Sequence, residues 1–341
     1  MLDKRELDKV DRDGMLDDIK KFPDMCEKAY QPTEIDTKNI RNIVITGMGG
    51  SGIGGDLLKA HLRDKLDIPI IVNKNSNIPN FADQNTLFFV ISYSGNTKET
   101  IKAYEQATKK DCKIKAITSN GKLKEKIRNP QNIIHQPPKN IQPRAALPHL
   151  YLPMLATLQK NFGLKQTNIH ETKKILQEIL EKNKPKTKKQ KNQAKKLAIE
   201  LKNTIPIIYS HTYLKPVAYR WKCQLNENSK TYATSNYYPE LNHNEVEAMY
   251  KNNPQIKDLA VCIIKDNKPK KQTKKSINAS KTVLKNAKKI LTIETKGKKR
   301  LTKTLSTILI GDLTSLYLAI LKKTNPSPVK NIQKIKRKTQ E

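Results

Sequence analysis

The sequence predicts an α/β protein with two parallel β-sheets, one in each half of the 341-residue chain. Short runs of β-branched and other apolar residues alternate with amphipathic stretches, and this alternation favours parallel sheets covered by helices on both faces. A glycine-rich stretch follows the first apolar run, at the carboxyl edge where such sheets bind their ligands. The length of the chain allows two domains of ordinary size.

The first half contains five apolar runs that we predict to be strands. They cover residues 43–46, 68–72, 87–91, 114–118 and 133–134. Helical stretches are predicted between them, at residues 56–64, 98–109 and 123–128. Residues 2–31 precede the first strand as an amphipathic helix or helix pair, which we expect to dock on this domain. Residues 142–162 follow the last strand with a helical rhythm that Pro148 and Pro153 break.

The second half repeats the alternation after a lysine-rich run at residues 171–200. Strands are predicted at residues 205–210, 259–264 and 290–294, and helices at residues 216–226 and 305–321. We interpret the lysine-rich run as a solvated linker helix with its lysines outward, rather than a nucleic-acid arm, because leucine and isoleucine recur at both ends. The predicted organisation is an N-terminal helical segment (1–40), a first α/β domain (41–165), the linker helix (166–200), a second α/β domain (201–323) and a C-terminal tail (324–341).

The chain is strongly basic, with 66 Lys and Arg against 32 Asp and Glu and a formal net charge of +34. Nearly all of the basic residues are lysines, and they are spread over predicted helices and loops. Aromatic residues make up only 5% of the chain, so few could stack on bases between the lysines. We therefore attribute the charge mainly to a lysine-rich composition, and nucleic acid is disfavoured as a partner.

Cysteine usage and hydropathy indicate a cytoplasmic protein. The four cysteines are far apart and form no CxxC pair, which favours reduced thiols over a disulfide framework or a zinc site. No apolar run approaches the roughly 20 residues that span a bilayer. The N-terminus is charged and has no signal-peptide core.

Residues 42–56, NIVITGMGGSGIGGD, combine a buried strand with six glycines and Ser51. Glycines at this density allow unusual backbone angles and a close approach of N–H groups to a ligand. The stretch ends where a helix is predicted to begin, which is a favoured position for an anion such as phosphate.

The spacing Gly47-x-Gly49-x-x-Gly52 matches the dinucleotide-binding fingerprint, but the rest of that site is missing. The fingerprint requires an acidic residue at the end of the second strand, about 20 positions on. That strand ends here in Val72-Asn73-Lys74, so a nicotinamide cofactor is disfavoured. No Gly-Lys-Ser/Thr closes the loop, so a nucleotide-binding P-loop is disfavoured as well.

A second loop with anion-binding character follows the third predicted strand. It contains Ser92, Ser94, Gly95 and Thr97 directly before a helix. One hydroxyl at this position would be an ordinary helix N-cap, but an N-cap accounts for only one of the three. Together with the glycine-rich stretch, the loop predicts a binding site for one anion.

Three further residues are candidates for catalysis. Arg144 follows a proline and opens an apolar helix, where an ordinary structural salt bridge is the alternative role. Glu227 lies at the end of a helix that contains the only tryptophan, within the sequence RWKCQLNEN of residues 220–228. His243 lies between two asparagines in a loop, so Glu227 and His243 form a plausible acid/base pair.

Taken together, these motifs resemble those of the archaeal-type bifunctional phosphoglucose/phosphomannose isomerases, which contain two sugar isomerase (SIS) domains. The resemblance runs from about residue 40 to the end of the chain. Its elements, in order, are GMGGSGIGGD, ISYSGNTKET, PRAALPHL, WKCQLNENSK, PELNHNE and the tail sequence NPSPV. It implies two flavodoxin-like SIS domains, each a parallel-sheet αβα sandwich, and a C-terminal helical tail.

The resemblance also implies a role for each candidate residue. The sugar-phosphate site would comprise Gly50, Ser51, Ser92, Ser94 and Thr97. Arg144 would stabilise an enediolate, Glu227 would move the proton between C1 and C2, and His243 would act in ring opening from the partner subunit of a homodimer. The family uses a lysine in its C-terminal helix, for which Lys334 and Lys336 both qualify. Ser327 replaces the usual threonine of a Pro-Thr-Pro motif. Serine loses the methyl group but keeps the hydroxyl linked to mannose 6-phosphate, so both activities are expected to survive.

The function implied is a metal-independent aldose–ketose isomerase that needs no cofactor and acts on glucose 6-phosphate, mannose 6-phosphate and fructose 6-phosphate through a cis-enediol(ate). The sequence shows no clustered His, Cys and carboxylate set that would suggest zinc. The alternative is an SIS-domain regulator that binds a sugar phosphate without catalysis. It is disfavoured because it gives Glu227 and His243 no role and because about 40 residues leave little room for a DNA-reading domain before the first strand.

Overall fold

A computed structural model describes residues 2–339, which form two compact units. One unit is the segment Lys21–Lys174. The other combines the N-terminal residues up to Lys20 with the chain from Ile175 onward. The N-terminal segment, predicted to dock as a whole on the first domain, is therefore divided between the units.

Nine strands lie within the described residues. They are β1 (Asn42–Thr46), β2 (Ile70–Asn73), β3 (Thr86–Ser92), β4 (Lys113–Thr118), β5 (Ile133–His135), β6 (Ile205–His211), β7 (Thr234–Tyr238), β8 (Leu259–Lys265) and β9 (Lys289–Glu294). All eight strands predicted from sequence are present. Only β7 was missed, because its sequence Thr-Ser-Asn-Tyr-Tyr lacks an apolar run.

Thirteen α-helices lie within residues 2–339. They are α1 (Lys4–Val10), α2 (Met15–Lys20), α3 (Phe22–Ala29), α4 (Gly49–Leu62), α5 (Lys98–Lys109), α6 (Gly121–Lys126), α7 (Leu147–Asn161), α8 (Ile169–Lys182), α9 (Gln193–Leu201), α10 (Lys215–Asn228), α11 (Lys271–Leu284), α12 (Arg300–Leu321) and α13 (Lys330–Lys338). The division of the N-terminal segment follows from packing, since α2 packs against α12 whereas α3 packs against α7.

The first sheet is parallel throughout and has the strand order β2-β1-β3-β4-β5. The chain moves outward in one direction from β1 to β2 and in the other from β3 to β5. This topology creates a crevice at the carboxyl ends of β1 and β3, where open α/β sheets bind ligands. On one face, apolar side chains of β1, β3 and β4 pack against α5 and α6.

The second sheet is also parallel and has the order β7-β6-β8-β9. Its central strands β6 and β8 take the same relative positions as β1 and β3 in the first sheet. Their apolar side chains pack against α11 on one face. The repeated topology agrees with the alternation of strands and helices that was predicted in both halves of the sequence.

Helix α4 begins at Gly49, seven residues before the helix start predicted from sequence at residue 56. The later glycines serve close packing within this helix rather than an open loop. A Cβ at Gly54 would lie 2.6 Å from the Leu150 carbonyl oxygen on α7, and a Cβ at Gly55 would lie 3.0 Å from the Ile45 side chain on β1. The glycine-rich sequence therefore lets α4 lie directly against both neighbours.

Helix α7 continues through both of its prolines, which sequence analysis predicted to break it. Pro148 lies in the first turn, where a missing N–H costs no hydrogen bond. Pro153 removes the bond to the His149 carbonyl, yet every residue from Leu147 to Gln159 is buried. Tertiary packing around the helix compensates for the lost hydrogen bond.

The lysine-rich run is two helices, α8 and α9, joined through a short 3-10 turn, rather than one solvated linker helix. One face of α9 packs against α12. Contrary to the prediction, Lys195 on α9 points inward and is only 4% exposed. Its ammonium donates to the carbonyl oxygens of Pro185, at 2.5 Å, and Thr187, at 3.0 Å.

Helix α12 passes the length and hydropathy test for a membrane span, so the sequence-based statement that no apolar run approaches that length was wrong. The helix has 22 residues, and 94% of its most apolar window is buried inside the protein. Helices α2, α9 and α10 pack against it. This environment is that of a core helix.

A stacked histidine pair lies in the first unit. His135 Nε2 and His149 Nδ1 are 2.8 Å apart, and the rings are 5.0 Å apart and nearly parallel. The other ring nitrogen of His149 is buried without a hydrogen-bond partner among the described residues. Burial, aided by His135 and Lys28, lowers the pKa of His149 to about 4, so its ring is neutral at pH 7.

We predict that acid destabilises this unit through His149. Between an unfolded pKa near 6.5 and the folded value, the unfolded chain binds a proton that the folded chain excludes, so stability falls as the pH falls. The expected loss between pH 7 and pH 5 is about 2 kcal/mol. His149→Asn should flatten this dependence in urea unfolding, whereas His170→Asn, at a ring that is 80% exposed, should not. Equal slopes for both variants would show that His149 does not carry the effect.

Candidate active site

The glycine-rich stretch forms the turn from β1 into α4. Gly49 has a φ of +52°, the left-handed region that favours glycine, and a Cβ there would meet nothing within 4 Å. Glycine is therefore favoured at position 49 by the backbone conformation and not by a lack of space for a side chain. The preceding Met48 is the N-cap and makes no side-chain capping bond. The first turn of α4 thus begins at the carboxyl edge of the sheet, and within it the Ser51 N–H donates to the Met48 carbonyl oxygen at 3.0 Å.

The hydroxyl loop, residues Ser92 to Thr97, forms the matching turn from β3 into α5. Ser92 Oγ accepts from the Gly95 N–H at 3.1 Å and donates to Thr97 Oγ1 at 3.3 Å. Ser94 is exposed and accepts from the Asn96 N–H at 3.3 Å. Thr97 is the N-cap of α5, but its side chain makes no capping bond. The N-cap role that would account for one of the three hydroxyls is therefore not taken by Thr97, whose hydroxyl oxygen accepts from Ser92 instead.

Gly95 fixes where this loop lies. Its φ is +70°, and a Cβ would lie 1.6 Å from the Asn120 carbonyl oxygen, so no other residue fits. The neighbouring Asn96 side chain accepts from the Lys122 N–H at 3.1 Å. These contacts hold the loop against the first turn of α6.

The two loops contact each other and the segment that carries Arg144. Ser51 Oγ accepts from the Tyr93 N–H at 3.4 Å. A Cβ at Gly50 would lie 3.2 Å from the Pro143 carbonyl oxygen and 3.5 Å from Arg144 Cα. The structure therefore brings together the six residues predicted in this half of the chain: Gly50, Ser51, Ser92, Ser94, Thr97 and Arg144.

Tyr93 is a further connecting residue that sequence analysis did not identify. Its hydroxyl donates to the Pro138 carbonyl oxygen at 2.7 Å and accepts from the Ile141 N–H at 3.0 Å. Tyr93 thereby fixes the backbone of the segment that precedes Arg144. Arg144 itself is only 5% exposed and donates to Gln142 Oε1 at 3.5 Å. Hydroxyl donors, two helix N-termini and a guanidinium group at one sheet edge are suited to a phosphorylated, oxygen-rich ligand.

The position of the acidic residue in a dinucleotide site is occupied by a cation. Lys74 follows the end of β2 and forms an ion pair with Asp56 on α4. The carboxylate nearest the end of this strand, Asp56, is already paired with Lys74 instead of facing a ribose hydroxyl. This arrangement differs from that of a dinucleotide site, in which a carboxylate at the end of the second strand accepts from the ribose.

In the second unit, Glu227 is half-buried and precedes Asn228, the last residue of α10. Lys230 follows the helix in a left-handed conformation, with φ of +49°. Its ammonium donates to the Glu227 carbonyl oxygen and to the carbonyl oxygens of Pro326 and Pro328, at 3.4 Å and 2.7 Å. Lys230 thus joins the end of α10 to the tail.

Ser327 lies between the two prolines that Lys230 contacts and is only 4% exposed. Its N–H donates to Asn325 Oδ1 at 3.1 Å, and the Asn325 amide donates to Asp13 Oδ2 at 2.8 Å. The structure therefore brings Ser327 close to the helix end that carries Glu227. Sequence analysis missed Lys230, because one lysine in a lysine-rich chain gives no signal.

His243 and the two tail lysines lie on other elements of this unit. His243 is exposed at the end of a 3-10 helix, Glu240–His243, that follows β7. Lys334 and Lys336 lie on α13, which buries no residue. The structure does not separate these two lysines as candidates.

Comparisons with known proteins match both units of the chain. Residues 38–154 match the family described as SIS domain, and residues 190–339 match the family described as bacterial phospho-glucose isomerase C-terminal SIS domain. A bifunctional phosphoglucose/phosphomannose isomerase from Caldicellulosiruptor bescii is 37% identical over 337 residues, covering 96% of this chain and 99% of the relative. One from Thermoplasma acidophilum is 36% identical, covering 89% and 91%.

Solved structures show the same fold. A glucose-6-phosphate isomerase like protein from Thermus thermophilus has a TM-score of 0.64 to this chain, with 98% of each chain covered. The sequence identity is 15%, so this likeness shows the fold alone.

We predict that Lys230→Met loosens the tail. Removing an ammonium that holds two tail carbonyl groups should raise amide exchange at Asn325, Ser327 and Val329 at least roughly tenfold, since a hydrogen bond to a charged group contributes about 1.5–3 kcal/mol. Hydrogen exchange followed by mass spectrometry measures this directly. Lys323→Met, at an exposed lysine two residues before Asn325, is the control. Unchanged exchange in Lys230→Met would mean that the tail is held by other contacts.

Proposed function

This chain belongs to the family of bifunctional phosphoglucose/phosphomannose isomerases, and on that premise we propose that it interconverts glucose 6-phosphate and mannose 6-phosphate with fructose 6-phosphate. The two aldose phosphates differ only in configuration at C2, and both give the same cis-enediolate when the C2 proton is removed. The observation that carries the proposal is the convergence of the glycine turn, the hydroxyl loop and Arg144 at one sheet edge. The comparisons lend no support to a regulator without catalysis.

In the proposed mechanism, the phosphate of the substrate binds to Ser92, Ser94, Thr97 and the first turns of α4 and α5. These groups supply hydroxyl and backbone N–H donors to a dianion. The phosphate does not react, so its binding energy holds the sugar carbons in place for proton transfer. Gly50 and Ser51 belong to the same binding surface.

Proton transfer is assigned to Glu227. Its carboxylate removes the proton next to the carbonyl group of the opened sugar and returns it to the neighbouring carbon. Arg144 stabilises the negative oxygen that develops in the enediolate. A lysine of α13, Lys334 or Lys336, would add a second cation.

The hydroxyl of Ser327 is proposed to contact the sugar, with acceptance of mannose 6-phosphate depending on it. Support comes from its position beside the end of α10, to which Lys230 joins the tail. The mechanism needs neither a metal ion nor an organic cofactor. Within residues 2–339, no group of three or more His, Cys, Asp or Glu side chains is placed to hold a metal.

A homodimer with a shared active site is part of the proposal. His243 is exposed on its own unit, which suits a residue that completes the site of a second copy in ring opening. All four cysteines are free, which fits the reducing environment of the cytoplasm.

We predict that Glu227→Gln abolishes the activity. The amide keeps the size of the side chain but cannot accept the proton, so kcat should fall by at least about 10³-fold with both aldose phosphates, within the range that general acid–base catalysis contributes. The wild-type chain should remain fully active in excess EDTA. A coupled assay of fructose 6-phosphate formation measures both results. Activity that is lost on chelation, or retained in Glu227→Gln, would contradict the mechanism.

Mixing two inactive variants tests the shared site. If His243 acts across the interface, a mixed dimer of Glu227→Gln and His243→Ala contains one intact site and one doubly defective site. Random exchange of subunits should then restore roughly a quarter of the wild-type activity. Mixtures that stay inactive after subunit exchange, confirmed by mass spectrometry of tagged chains, would place both residues in the same subunit's site.

A further inference from the structure

Helices α10 and α12 share a buried polar seam. The Arg220 guanidinium donates to Asp312 Oδ2 at 2.7 Å, and the Gln224 amide donates to Asp312 Oδ1 at 3.0 Å. One turn further along, the Asn228 amide donates to Ser315 Oγ at 2.9 Å. All five side chains are buried, and the Arg220–Asp312 pair is 3% exposed on each side.

Trp221 on α10 makes a further contact with α12. The Trp221 indole N–H donates to the Thr307 carbonyl oxygen at 2.9 Å. A Cβ at Gly311 would lie 2.3 Å from Trp221 Nε1, so the indole ring lies directly on the backbone of α12. The contacts are spaced by about one helical turn along each helix, which defines a single register between them.

Stability alone does not account for this seam. A buried ion pair gives little net stabilisation, because both charges must leave water, but breaking it leaves an uncompensated charge and is strongly unfavourable. Sliding α10 along α12 by one turn would separate Arg220 and Gln224 from Asp312 and Asn228 from Ser315. The seam therefore discriminates against other registers more than it stabilises the fold.

The seam ends at the proposed catalytic base. Asn228, buried and bonded to Ser315, directly follows Glu227, so the contact lies one residue, or roughly 1.5 Å along the helix axis, from the base. The sequence RWKCQLNEN was singled out as a motif, yet only Glu227 received a chemical role. The seam explains Arg220, Trp221, Gln224 and Asn228.

We propose that Asp312 and Ser315 are positioning residues for Glu227, acting through Arg220, Gln224 and Asn228. The inference rests on the proposed function, because it assigns Glu227 as the base. A displacement of about 1 Å at a catalytic group can cost on the order of 10²-fold in rate. Weakening the seam should therefore reduce kcat more than it changes KM, since the phosphate-binding residues lie in the other unit of the chain.

The same helix provides a matched control. Lys303 on α12 forms a second buried ion pair, with Asp266 at 2.6 Å and side-chain exposures of 10% and 9%. Lys303 precedes Ser315 by 12 residues, roughly 18 Å along the helix. Asp266→Asn and Asp312→Asn therefore each neutralise the carboxylate of a buried ion pair that has one member on α12. Only Asp312→Asn should move Glu227.

The experiment measures kcat, KM and thermal stability for Asp312→Asn, Ser315→Ala and Asp266→Asn. We expect kcat for fructose 6-phosphate formation to fall roughly 10- to 100-fold in Asp312→Asn and roughly 3- to 10-fold in Ser315→Ala, with KM within about threefold of wild type. Asp266→Asn should keep kcat within about threefold at an equal or larger loss of melting temperature. The exchange Asn228→Ser with Ser315→Asn, which retains a hydrogen bond, should recover most of the kcat lost in Ser315→Ala.

The outcomes separate this inference from the proposed function. An inactive wild-type chain, or a fully active Glu227→Gln, would overturn the function itself. With those two results as predicted, an unchanged kcat in Ser315→Ala, or equal kcat losses in Asp312→Asn and Asp266→Asn at equal stability, would overturn the positioning role. Ser315→Ala removes only one hydroxyl and supplies the test if Asp312→Asn does not fold.

Discussion

The candidate phosphate site depends on backbone approaches that only glycine allows. Gly95 lies where a Cβ would overlap the Asn120 carbonyl oxygen, and a Cβ at Gly54 would lie 2.6 Å from the Leu150 carbonyl oxygen; Gly50 packs less closely, with a Cβ at 3.2 Å from the Pro143 carbonyl oxygen. These contacts place the hydroxyl loop, the helix α4 and the Arg144 segment around one crevice. Any larger residue at Gly95 or Gly54 would separate elements whose side chains are proposed to bind the same ligand. The positions of the site residues thus depend on the missing side chains of these glycines as well as on the chemistry of the side chains that are present.

The fold could largely be predicted from the sequence, because its signals are local. Eight of the nine strands in residues 2–339 follow from apolar runs, and β7, which has none, was missed. The start of α4 was placed too late, since the role of its glycines depends on α7, about 100 residues away in the sequence. Pro153 was taken as a helix breaker, because the sequence does not show how completely α7 is buried. Local patterns identify elements, whereas tertiary contacts decide where they begin and end.

The same distinction applies to the candidate site. Gly50, Ser51, Ser92, Ser94 and Thr97 could be found because strand-to-helix turns with glycines and hydroxyls are recognisable in sequence. Their convergence with Arg144 is seen in the structure. The residues that support the site were not identified, because Lys230 and Asp312 act on partners about 90 residues away. A supporting residue carries no signature of its own when its chemistry is ordinary and only its position is special.

The two sheets have the same central topology, yet their carboxyl edges present different groups. Between β1 and β3 the first sheet offers hydroxyls and helix N-termini to an anion. Between β6 and β8 the second sheet already holds the Asp266 carboxylate, which accepts from Lys303 and Tyr213 at 2.6 Å and 2.5 Å. Burial raises the pKa of Asp266, but these hydrogen bonds outweigh burial and hold the pKa below its ordinary value, so the group remains charged. Because Asp266 already accepts from the Lys303 ammonium and the Tyr213 hydroxyl, these two donors are directed to a carboxylate of the protein instead of to a phosphate. One half of the repeated fold thus has an edge that is suited to an anion, and the other half presents its candidate groups from a helix end and the tail.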